Sequence, residues 1–184
     1  MRRNHRPHGL TIIELMVVVA VAAVVLTLAV PSMREFMVRQ RVKGINAELV
    51  NDLQFARSES ITRSRPVRIT FGQNETMSCY TIHTRGLLGN CDCLQPMGTA
   101  CPNFPELVEI KTVQVLQSTT VSFEPLEGLG QVVLFSGPRG LASPGEFKVG
   151  VESSVSGKLR TTTNALGRPQ VCTPDGSITG VATC

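Results

Sequence analysis

The chain has 184 residues, 18 Lys plus Arg against 14 Asp plus Glu, and 42% hydrophobic residues. That is the richness of one ordinary domain, and it excludes a disordered or collagen-like chain. The hydrophobic residues are unevenly spread, and their distribution sets the order of the chain.

Leu10 to Val30 carries Glu14 as its only charge and follows Arg2, Arg3 and Arg6, with no acid among the first nine residues. At about 1.5 Å per residue this run makes a helix of roughly 31 Å, matching the hydrocarbon core of a bilayer. The arginines hold the N-terminus in the cytoplasm and leave everything after Val30 outside. A secretory signal peptide has a shorter apolar stretch, about 7 to 15 residues. An isolated carboxylate costs roughly 2.5 to 3.5 kcal/mol at the centre of a membrane helix, less near the interface, so Glu14 requires a positive partner.

Gly9-Leu10-Thr11-Ile12-Ile13-Glu14-Leu15 resembles the prepilin cleavage motif of type IV pilins and type II secretion pseudopilins. The resemblance implies that a membrane peptidase cuts between Gly9 and Leu10 and methylates the new N-terminus at Leu10. Leu10 stands where the family usually has Phe. It further implies that Glu14 pairs with the freed amine of an incoming subunit during assembly, which offsets the burial cost. Pro31 sits where pilins commonly bend their helix, and its missing amide predicts a kink.

From Ser32 to about Ser64 the pattern is amphipathic, with Val38, Val42, Ile45, Leu49, Leu53 and Ala56 recurring at three- or four-residue spacing. This stripe is expected to pack on a following sheet, while Arg39, Lys43, Glu48, Asp52 and Arg57 face solvent or neighbouring subunits. Gly44 costs the helix about 1 kcal/mol relative to Ala. The stretch from Leu53 to Val67 resembles the approach to the first strand in the GspH/FimT branch of the family, which narrows the resemblance to minor subunits.

Beyond Pro66 the period falls to two. Strands are expected at Val67 to Phe71, Met77 to His83, Leu107 to Leu116, Thr120 to Glu124, Val132 to Ser136, Phe147 to Glu152 and Lys158 to Thr163. Gly and Pro punctuate the gaps, as in Gly137-Pro138-Arg139-Gly140. One long helix followed by these strands predicts an α+β protein whose antiparallel sheet covers the apolar stripe, the type IV pilin-like architecture that the resemblance also implies.

Cys79, Cys91, Cys93, Cys101, Cys172 and Cys184 all follow the membrane run and so fall in an oxidising compartment, where disulfides are the expectation. Proximity pairs Cys172 with Cys184 and leaves the pairing of the other four open. Zinc is the rival for those four, but Cys91-Asp92-Cys93 lacks the two residues that usually separate paired ligands, so no metal and no cofactor is expected.

Catalysis is poorly served. His5 and His8 leave with the leader, and His83 is then the last histidine; Cys79 stands four residues before it, about 13 Å away on a strand. His83 reads as a surface residue, and no catalytic residue is assigned. DNA binding is a stronger rival, because some FimT-like minor pilins carry a basic Gly-Arg-x-Arg motif. Gly167-Arg168-Pro169-Gln170 keeps only its first arginine, and Gln170 removes a phosphate donor. Lys158, Arg160 and Arg168 remain a candidate DNA contact. Residues 69 to 184 nevertheless hold seven basic against nine acidic side chains, and loss of Arg2, Arg3 and Arg6 lowers the formal charge from +4 to +1.

The sequence therefore divides into a cleaved leader (1–9), a transmembrane or filament-core helix (10–30), an amphipathic helix (31–64) and a β-rich periplasmic head (65–184). The resemblance implies a non-enzymatic subunit of a type IV pilus with a priming or tip role. The alternatives are a GspH-type pseudopilin and a DNA-binding minor pilin. Its partners are other pilins or pseudopilins, the prepilin peptidase and an assembly platform in the inner membrane, which the single-pass chain occupies before entering a filament.

Overall fold

The computed structural model describes residues 11–84, 90–102, 105–127 and 132–184, without the side chains of residues 28, 31 and 125–127. The chain divides into two compact units, Met1–Met37 and Val38–Cys184, and helix α1 (Ile12–Thr62) contributes to both. Thr11 starts the helix: its Oγ1 accepts from the Glu14 amide at 3.3 Å, the N-cap half of a Thr-x-x-Glu box. In the first unit the apolar side chains stand uncovered, from Ile12 at 80% exposed to Val30 at 45%. Among the described residues no single straight helix is long and apolar enough to cross a membrane; Ile12–Thr27 and Ser32–Thr62, as a bent pair, pass by length and composition.

In the second unit, burial in α1 follows the stripe. Val42, Leu49, Leu53 and Ala56 are fully buried, and Ile45 packs beside them. The helix ends at Thr62; two residues on, Ser64, a non-glycine residue with φ +50°, bonds its amide back to the Ile61 carbonyl, and Pro66 prevents continuation.

Among the described residues nine strands follow: β1 Val67–Gln73, β2 Met77–Thr84, β3 Glu109–Leu116, β4 Val121–Glu127, β5 Val132–Phe135, β6 Ala142–Ser143, β7 Phe147–Ser153, β8 Lys158–Thr163 and β9 Pro169–Cys172. All seven expected strands are present, with ends shifted by up to three residues. β6 and β9 are additional. Instead of one sheet there are two antiparallel ones, β3-β2-β1-β5-β6 and β4-β7-β8-β9. They share one core: Phe71 stacks on Phe147 with centroids 5.6 Å apart, and Tyr80 meets Phe123 edge-on at 5.2 Å.

The register explains why β2 is buried from Ser78 to Thr84. Tyr80 and Ile82 face α1. On the opposite face, Cys79 pairs across with Gly72 and His83 with Arg68, and that face lies beneath the segment carrying Cys91, Cys93 and Ala100, all buried. A Cβ at Gly72 would stand 3.0 Å from the Cys93 sulfur, so the segment lies close on the sheet.

Candidate functional site

Two regions carry the residues singled out by sequence. The first is the start of α1. Gly9 and Leu10 lie outside the described residues. Glu14 is exposed in the first turn, followed by a run of exposed apolar side chains. An all-round apolar helix is stable only in lipid or among other helices, so this surface is built to be buried elsewhere.

The second region is the braced head. All six cysteines are paired: Cys79 with Cys93, Cys91 with Cys101 and Cys172 with Cys184, at Cα separations of 5.7, 4.2 and 4.9 Å. The tail bridge is the one expected from proximity. The inner pairing depends on which face of β2 Cys79 occupies, a property of the fold and not of spacing. The two inner bridges pin the cysteine segment across the first sheet, aided by the Glu109 carboxylate, which accepts from the Gly98 and Ala100 amides at 3.0 Å each. Burial alone would raise the Glu109 pKa, but these bonds and that from Thr112 outweigh it and lower it.

His83 corrects its sequence reading. It is fully buried under that segment, not at the surface. Its Nδ1 lies 2.9 Å from the Thr84 carbonyl, which can only accept, so Nδ1 carries the proton and Nε2 accepts from Thr70 Oγ1 at 2.9 Å. Both nitrogens are occupied, and burial lowers the His83 pKa, disfavouring the charged ring. His83, Cys91 and Cys101 bring ligand-type atoms within 4.8 Å of one another, yet the two thiols are consumed in their mutual bond.

Asp52 is a second correction. Expected to face solvent, it is 6% exposed and accepts from the Tyr80 hydroxyl at 2.6 Å and from Lys111 Nζ at 2.9 Å. Lys111 also reaches Glu48 at 3.0 Å. Burial lowers the Lys111 pKa, but its two carboxylate partners raise it further than that; burial and then Asp52 push the Tyr80 phenol far up. Asn46 similarly accepts from Thr161 of the second sheet at 2.8 Å, so α1 is fastened to both sheets by buried hydrogen bonds. Arg39, Lys43 and Arg57 are likewise engaged, with Ser156, the Thr179 carbonyl and the Gly140 carbonyl.

The candidate DNA contacts do not converge. Lys158 opens β8 and is paired with Glu152 at 2.6 Å, which raises its pKa. Arg160 is half-buried on the same face of β8. Arg168 is exposed on the turn beyond the far end of that strand, about 20 Å from Lys158 at 3.3 Å per residue. Gly167 has a structural reason of its own: φ is +70°, and a Cβ would stand 2.7 Å from Arg57 Cδ.

An uncovered apolar helix running into a helix-braced, two-sheet antiparallel head is the construction of a type IV pilin-like subunit. The prokaryotic N-terminal methylation motif matches residues 4–30. The family described as type II transport protein GspH matches residues 47–167, about two thirds of the chain, and the protein belongs to that family. Among solved structures it is similar to the type IV minor pilin FimU of Pseudomonas aeruginosa PAO1. One crystal form shows 17% identity, covers 74% of this chain and 91% of FimU, and gives a TM-score of 0.53. A second form gives 17%, 70%, 90% and 0.48. At that identity the likeness is one of fold. No match was found among curated proteins.

Proposed function

We propose that this protein is a minor subunit of a type IV pilus, processed between Gly9 and Leu10, methylated at Leu10 and inserted into the filament by α1, where it primes or tips the fibre. The observation that carries this reading is the methylation motif joined to a helix whose apolar side chains are uncovered from Ile12 to Val30. An apolar surface of that extent needs a bilayer before assembly and other α1 helices after it. Glu14 then serves as the acceptor for the N-terminal amine of a neighbouring subunit, and Pro31 produces the bend that fits the helix to the filament. Topology follows the arginines: leader in the cytoplasm, head in the periplasm, with the prepilin peptidase and an inner-membrane assembly platform as partners.

A second setting, the pseudopilus of a type II secretion system, is favoured by the description of the matched family. The processing chemistry is shared. DNA binding has less support, because Lys158 is neutralised and stands apart from Arg168. Processing is tested by Gly9→Leu followed by intact-mass analysis of the membrane-extracted chain. The expected result is a precursor retaining residues 1–9, and a normal mature mass removes the prepilin assignment.

A further inference from the structure

Among the described residues of the unit Val38–Cys184 six basic side chains are exposed: Arg41, Arg63, Arg65, Arg139, Lys158 and Arg168. Three of them have partners, Arg41 on the Thr119 carbonyl, Arg63 on Glu59 and Lys158 on Glu152. Arg65, Arg139 and Arg168 make no side-chain hydrogen bond or ion pair among the described residues. These three come from distant parts of the sequence, yet the fold gathers them at one place, the C-terminal end of α1.

Their convergence follows from close backbone approaches. A Cβ at Gly140, beside Arg139, would lie 2.8 Å from Ile61 Cδ1 and 3.1 Å from Arg57 Cγ. One at Gly167, beside Arg168, would lie 2.7 Å from Arg57 Cδ and 3.0 Å from the Gly140 carbonyl oxygen. One at Gly137 would lie 3.0 Å from the Ser64 oxygen and 3.5 Å from the Arg65 nitrogen. The carboxylates on adjoining segments, Glu59 and Glu146, are already taken by Arg63 and Lys148.

We infer that this cluster is a docking surface for a protein face bearing carboxylates. Guanidinium groups present forked donors that match a carboxylate bidentately, and unpaired like charges held together are relieved by such a partner. Phosphate offers the same acceptor geometry, but the surroundings favour protein. Ile61, Leu141 and Leu166 are exposed among the arginines, at 40%, 38% and 53%. Arginine is enriched at protein interfaces, and the exposed apolar side chains beside it supply area that a protein partner can bury. These flanking side chains are aliphatic and offer no stacking platform for bases, and the head has no basic excess to attract a polyanion from a distance.

The test places a photoreactive benzophenone amino acid at Leu166 of the full chain in its native cells and identifies what becomes cross-linked. The expected product is a protein adduct whose cross-linked peptide is rich in Asp and Glu. Its yield should fall at least about tenfold in Arg139→Glu with Arg168→Glu, while the corresponding Lys pair retains more of it. Intact mass showing three disulfides in both variants excludes misfolding as the cause. A nuclease-sensitive adduct, an adduct unaffected by charge reversal, or no adduct from the folded chain overturns the inference. Whether the chain is present in the filament fraction is scored separately, so failure of the filament reading is distinguishable from failure of this surface.

Discussion

Asp52 shows how a charged residue on a helix can belong to the core. Its position beside Leu53 in the apolar stripe is not itself polar; what makes it habitable is Tyr80 on β2, whose hydroxyl donates to it, and Lys111 on β3, which supplies the opposite charge. Removing the acceptor leaves a buried phenol and an unmatched ammonium. Asp52→Ala should therefore lower the stability of the head by about 2 to 3 kcal/mol, and Tyr80→Phe by about 1 kcal/mol. Denaturant midpoints check both, and the double variant should cost less than their sum because the residues share one hydrogen bond. His83 gives a pH prediction. Its folded pKa lies below the ordinary 6.5, so the unfolded chain binds the proton more readily. The stabilisation is present above pH 6.5 and is lost as pH falls through the folded value. His83→Gln should flatten the fall in melting temperature between about pH 7 and pH 5.5 relative to the parent.

At the scale of elements, the cysteine segment acts as a third layer. It covers the outer face of β2, so that this strand is buried on both sides, which is why Thr81 and His83 meet Thr112 and Thr70 there instead of water. Its attachment rests on two covalent bridges. Losing a bridge that closes so short a loop typically costs about 2 to 4 kcal/mol. Cys93→Ser with Cys79→Ser should accordingly destabilise the head by that amount and raise hydrogen exchange along β2, whereas Cys172→Ser with Cys184→Ser should leave β2 protection unchanged. Equal exchange on β2 in both variants would contradict the layer assignment.

Over the whole molecule, the long helix and seven strands were legible because their periods of 3.6 and 2 are properties of the chain itself. β9 was not, since Pro169 reads as a strand breaker, and only an edge position next to β8 tolerates a residue with no amide to donate. β6 spans two residues and has no pattern to read. The division into two sheets was hidden because pairing partners, unlike strands, are non-local. The same holds for the inner disulfides and for Asp52 and His83, whose surroundings come from β2, β3 and the cysteine segment together. Thr11 with Glu14 carries a local signal of a helix start, the Thr-x-x-Glu spacing, but it overlaps the processing motif, which accounts for the same residues. The gathering of Arg65, Arg139 and Arg168 is purely a product of the fold.

The filament role is tested most directly by shearing surface filaments from cells expressing the native chain and from cells expressing Glu14→Ala, then measuring the intact mass of the chain in each fraction. The predicted result is a mature chain beginning at methylated Leu10 in the native filament fraction, with the Glu14→Ala chain processed but left in the membrane. Recovery of the native chain only from membranes with residues 1–9 still attached, or equal incorporation of Glu14→Ala, would contradict it.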